Sequence, residues 1–356
     1  MNGASYAQDA DRNLDILRAI AVLAVLVFHS IAPMGGSVDL VSLGHFGVLI
    51  FFVHTARVLM SSMERIHGEK WVWRFYLRRV FRLYPLAAFF VFLTLLLRIP
   101  PAAMRSFVMP STGVIAANFL LIQNLWPASD SISIPMWSLP YEVQMYLALP
   151  LIFLAVRRFG AQSAKWLLIV SLVLSAVDMC HARPPYLFAY APCFLSGVLA
   201  YASQRKATLP AWMWPCFLVG LYFAYRAIGG WSDWLICMAI GWTLPMFRQF
   251  PAGAFASGAG LVARYSYGIY LSHMPLLWIC FRWLHAGRVV QLTAFATAIV
   301  VVPVIVYHGL ERPMIALGRR VSGDGRRRKN REFRTASQSS AEPWFSYTQQ
   351  GREARI

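Results

Sequence analysis

Long apolar runs separated by short polar or basic stretches dominate this chain. Ten of them lie at about 14–33, 43–61, 80–98, 137–156, 164–181, 186–203, 211–227, 231–248, 264–285 and 290–311. About 20 apolar residues in a helix cross a hydrocarbon core roughly 30 Å thick. The pattern therefore predicts an all-α, polytopic membrane bundle of about ten transmembrane helices. The first run contains Arg18 and His29 and has no small-residue cleavage site. It reads as an uncleaved span rather than a signal peptide.

An eleventh apolar stretch, 106–126, is flanked by Pro100, Pro101, Pro110 and Pro127. Charge decides how to count it. The segment 57–82 holds seven Lys/Arg, Arg157 and Arg158 mark another basic loop, and ten Lys/Arg follow from Arg319. Basic loops stay on the cytoplasmic side. If 106–126 crossed, Arg157 and Arg158 would fall on the wrong face. The stretch is expected to be a re-entrant or interfacial segment on the outer side, with both termini cytoplasmic. Residues 1–11 form a short N-terminus and 12–317 the membrane domain. Residues 318–356 change to a basic, Ser/Gln-bearing tail that reads as disordered and drawn to anionic lipid.

Composition agrees. Of 356 residues, 58% are hydrophobic and 13% charged, against about 45–50% and about 25% for soluble domains. Aromatic content of 15% excludes a disordered chain. A net charge of +18 would suggest nucleic acid in a soluble protein. Here the cations sit in loops and tail, and no nucleic-acid-binding module is present. Membrane lipids are the expected partner. Five scattered cysteines lack ligand spacing and read as small apolar residues, and no metal site is expected.

Ionisable residues inside spans are expensive and so point to function. Arg18 and His29 are eleven helical steps apart, roughly 16 Å along one face, with Asp15 one turn before Arg18. Snorkelling of Arg18 and a helix-to-helix hydrogen bond from His29 would also account for them. Arg79 and Arg82, beside Arg78, share a face at the mouth of a span. They form either a positive-inside anchor or a forked phosphate site. Glu142 enters its span one turn after Ser138, as a helix-start carboxylate or as a partner for a buried cation. A polar face runs from Arg264 through Tyr265 and Tyr270 to His273. There Tyr265 fits an interfacial belt and His273 lies deeper. Glu311-Arg312-Pro313 closes the last span as a cap or surface pair.

Together these residues resemble the membrane acyltransferase 3 family. The matching stretches are Leu14-Asp15-Ile16-Leu17-Arg18-Ala19 with His29, Phe75 to Pro85, Trp137 to Glu142, Ser266 to His273, and Glu311 to Pro313. They keep the family's order over about residues 12–317. One departure is at Phe51-Phe52-Val53-His54-Thr55-Ala56, where the family usually has Ser-Gly in the last two places. Thr55 keeps a hydroxyl, but the glycine that allows a close backbone approach is gone. His54 bears on acceptor choice.

The resemblance implies transfer of an acyl group, most often acetyl, from cytoplasmic acyl-CoA to a hydroxyl of a glycan or glycolipid, in a multi-pass protein of a bacterial inner membrane. It assigns His29 as general base, with Arg18 and Glu142 completing the catalytic set. Arg78, Arg79 and Arg82 would hold the acyl-CoA phosphates. Asp15, Ser138, Tyr270 and His273 would contact substrate. A transporter of a lipid-linked sugar and a non-catalytic membrane scaffold are the other classes weighed.

Overall fold

A computed structural model describes residues 11–31, 41–66, 68–100, 106–125, 131–180, 187–203, 207–229 and 232–323. All the named elements among them are helical. The predicted tail lies almost wholly outside the described residues.

Each apolar run becomes a helix. In chain order they are α1 (Arg12–Ile31), α2 (Val41–Glu64), α3 (Trp71–Leu96), α4 (Thr112–Leu120), α5 (Leu139–Phe159), α6 (Ala161–Cys180), α7 (Ala191–Ala202), α8 (Met213–Ile228), α9 (Ser232–Thr243), α10 (Ala254–Trp278), α11 (Arg288–Val306) and α12 (Arg312–Val321). Among the described residues, six helical segments are long and apolar enough to cross a membrane: α1, α2, α3, α5 with its leading turn, α6, and α11 continuing into α12. Their outer faces carry large apolar side chains in the open, such as Leu151 on α5, Val173 on α6 and Val300 on α11. That much exposed hydrocarbon is stable against lipid and not against water. The protein is an integral membrane protein.

The stretch 106–126 yields only the nine residues of α4, about 13 Å of helix, less than half the hydrocarbon thickness. Ser111 caps it by accepting from the Val114 amide. Buried amides then tie it to the segment before α5. Asn118 accepts from the Ile132 N–H at 2.9 Å, and Gln123 donates to the Met136 carbonyl at 3.0 Å. Irregular backbone held this way by protein partners fits a re-entrant piece.

The centre of the bundle is α1, α2, α7 and α10, where the fully buried side chains concentrate. Helices α1 and α10 run in the same direction. Asp15 lies beside Gly260 at one end, and His29 meets His273 further along. The altered Thr55-Ala56 site is explained by the α2–α7 contact. A Cβ placed on Gly197 of α7 would stand 2.1 Å from the Val53 carbonyl oxygen and 2.9 Å from the Ala56 Cβ. The close approach is made, and the glycine that permits it sits on the opposite helix.

Candidate active site

Helices α1, α2, α3, α5 and α10 enclose a cavity of about 230 Å³. Its lining carries four arginines, Arg18, Arg65, Arg79 and Arg82, against one carboxylate, Glu142. Arg79 and Arg82 point the same way because they are three residues apart on α3. Arg18 reaches the cavity from α1. None of Arg18, Arg79 and Arg82 forms an ion pair with a carboxylate among the described residues. The Nε atoms of Arg18 and Arg79 are buried with no protein partner. Asp15, one turn before Arg18, forms no ion pair with it, and the guanidinium lines the cavity instead. Arg78 stands outside the lining.

Opposite the arginines, Glu142 accepts a short hydrogen bond from the Tyr146 hydroxyl one turn on. Ser138 donates to the Tyr270 hydroxyl at 2.8 Å, and that hydroxyl donates to the Pro135 carbonyl. Tyr267 donates to the Leu83 carbonyl at 2.9 Å, fixing α10 against α3. His54 of α2, only 5% exposed, also faces the cavity, next to Thr55.

His29 and His273 stand outside this lining. Their rings are 5.1 Å apart, and the His273 ring is 6.1 Å from that of Tyr270. His273 is fully buried. Its Nδ1 is 3.2 Å from the Ile269 carbonyl, which it meets as a donor, and its Nε2 has no partner. The polar file thus runs His29, His273, Tyr270, Ser138, from the far half of α1 into the arginine cavity. Glu311, expected as a cap or surface pair, is 2% exposed with Oε2 unpartnered. The π-helical turn Tyr307–Glu311 following Pro303 carries it into the protein.

A family model described as an acyltransferase domain matches residues 11–308. The chain belongs to the acyltransferase 3 family. No curated protein and no solved structure matches it. This acyltransferase gathers Arg18, Arg79, Arg82, Ser138, Glu142 and Tyr270 at the arginine cavity, and carries His29 and His273 on the file that joins it. Sequence reasoning passed over Tyr146, Tyr267 and Arg65 as cavity residues. Tyr146 had a usable signal, since it stands four residues after Glu142 on the same helix face.

Proposed function

We propose that this acyltransferase moves an acyl group, acetyl in the simplest case, from cytoplasmic acyl-CoA to a hydroxyl of a cell-envelope carbohydrate. The observation that supports the donor assignment is the excess of positive charge. Arg18 and Arg79, whose Nε atoms are buried without a protein partner beside Arg82 in this lining, are costly there without an anion. Guanidiniums bind phosphate oxygens in forked pairs. Arg79 and Arg82 take the phosphates of acyl-CoA, with Arg18 beside them at the donor entrance, and the acceptor oxygen attacks the thioester carbonyl. The acceptor proton passes to His29. The C–S bond then breaks, and CoA leaves as thiol on taking up a proton. Glu142, held by Tyr146, orients the arginines. His273, Tyr270 and Ser138 connect His29 to the cavity.

Purified His29→Ala and Arg79→Ala proteins test this. His29→Ala is expected to bind acetyl-CoA like the parent and to lose transfer by about 10²–10⁴-fold, the usual worth of a positioned base. Arg79→Ala is expected to bind acetyl-CoA at least about tenfold more weakly, or about 1.4 kcal/mol. Full transfer by folded His29→Ala removes the base assignment. Unchanged binding by Arg79→Ala removes the phosphate assignment.

A further inference from the structure

A second cluster of polar and aromatic groups lies at the other end of α2. His45, near the start of α2, pairs through Nε2 with Asp233 Oδ2 at 2.8 Å. The Tyr225 hydroxyl donates to the other Asp233 oxygen at 3.0 Å. The His45 ring is nearly parallel to Trp137 (5.6 Å, 1°) and to Tyr225 (6.4 Å, 10°). Tyr190 joins Trp137 at 5.5 Å and Tyr141 at 4.9 Å. These groups come from helix ends that gather on one face: the starts of α2, α5, α7 and α9 and the end of α8. That face is opposite the Arg57–Arg65 end of α2. His45 and Asp233 remain 27% and 23% exposed, so the pair is open to solutes.

The geometry points to this aromatic cleft as the binding site for the carbohydrate acceptor, a pyranoside whose ring lies on Trp137 and whose hydroxyls are held by Asp233 and His45. The assignment rests on the acyltransferase reading above. A pyranose has a face of C–H groups and a rim of hydroxyls. Rings such as Trp and Tyr give such a face a broad apolar platform with weak C–H contacts to the π system. An ionised carboxylate has about four acceptor positions. Asp233 uses two on His45 and Tyr225, leaving the rest for hydroxyl donors in strong charge-assisted bonds. Asp233 supplies hydrogen-bond acceptors at the edge of an otherwise aromatic surface, so the complement is a molecule with an apolar face and a rim of donors. The arginine cavity selects an anion. The two sites touch. Trp137 directly precedes Ser138 of the cavity lining. Phe52, another lining residue, packs against Trp137 at 6.5 Å and Tyr190 at 5.2 Å.

The test uses the full chain in vesicles of phosphatidylethanolamine and phosphatidylglycerol, free of glycoside detergent. Carbethoxylation of His45 by diethyl pyrocarbonate is followed by peptide mass spectrometry. The probes are the methyl pyranosides of glucose, galactose, mannose, rhamnose and N-acetylglucosamine, with sorbitol as control. At least one pyranoside is expected to slow the modification saturably, about threefold at twice its Kd by mass action. Trp137→Leu is expected to abolish that protection. Tyr225→Phe, which keeps the ring, is expected to weaken it, with an unchanged thermal midpoint showing that the fold is intact. Protection no better than sorbitol's for every pyranoside overturns the assignment, as does parental protection in both variants. Sugar protection in a protein that releases no CoA from acetyl-CoA with any of the five leaves the cleft standing and removes the proposed transfer from acetyl-CoA to carbohydrate instead.

Discussion

Tyr146 and Glu142 make the sharpest statement at the scale of single residues. A carboxylate within the bundle needs its lone pairs filled, and the Tyr146 hydroxyl fills one of them. Tyr146→Phe removes that donor and leaves the carboxylate short. Glu142→Gln removes the charge and lowers the demand. The double variant should therefore be less destabilised than the sum of the singles. Coupling of about 0.6–1.7 kcal/mol is expected for side-chain hydrogen bonds between membrane helix positions, read from a double-mutant cycle of unfolding in mixed micelles. Strict additivity would mean that the bond to the carboxylate is worth no more than one to a neutral amide oxygen. His29, Arg18 and Glu142 were legible in the sequence because each breaks an apolar run, and such breaks are rare. Tyr146 and Tyr267 were not, because a tyrosine in a span reads equally as belt or core. His45 and Asp233 escaped for another reason. They stand 188 residues apart and meet only when α2 and α9 pack.

Elements were the most readable level. All ten apolar runs become helices, and the proline-flanked eleventh becomes the short α4. Hydropathy over 20 residues averages away local detail, so the signal survives. What it could not show was which helix surrenders side-chain volume where two meet. The departure at Ala56 drew attention to α2, whereas the constraint is on α7. Gly197→Ala would put a methyl 2.1 Å from the Val53 carbonyl oxygen, inside any allowed contact, so α2 and α7 must part. A loss of about 1–3 kcal/mol is expected from such overpacking. Gly220 on α8 is the internal control. Nothing lies within 4 Å of a Cβ there. Gly220→Ala should be neutral or stabilising by about 0.5–1 kcal/mol, the helix preference of alanine over glycine. Thermal unfolding of the two variants in one detergent compares them. Equal midpoints would show that the α2–α7 approach is looser than its geometry.

At the scale of the whole molecule the two candidate sites lie on one route but open toward opposite ends of α2. Arg65 and Ser62, near its C-terminal end, line the arginine cavity, and His45 near its N-terminal end stands in the aromatic cleft. The C-terminal end is also where the chain turns through the basic segment 57–82, which the positive-inside rule places in the cytoplasm. A donor and an acceptor that reach one reaction from two sides should obey that sidedness. Acetyl-CoA, charged and membrane-impermeant, should be consumed by inverted vesicles, whose cytoplasmic face is outside. Sealed right-side-out vesicles should consume it at least about tenfold more slowly, since each fixed charge is costly to carry through hydrocarbon. Permeabilising the right-side-out vesicles should restore the rate and show that the enzyme was present but out of reach. The arginine lining supplies an internal check. Arg79→Ala should slow inverted and permeabilised vesicles by the same factor, because both present the same cavity to the same donor. Equal rates from sealed vesicles of both orientations would place the donor mouth on the wrong face.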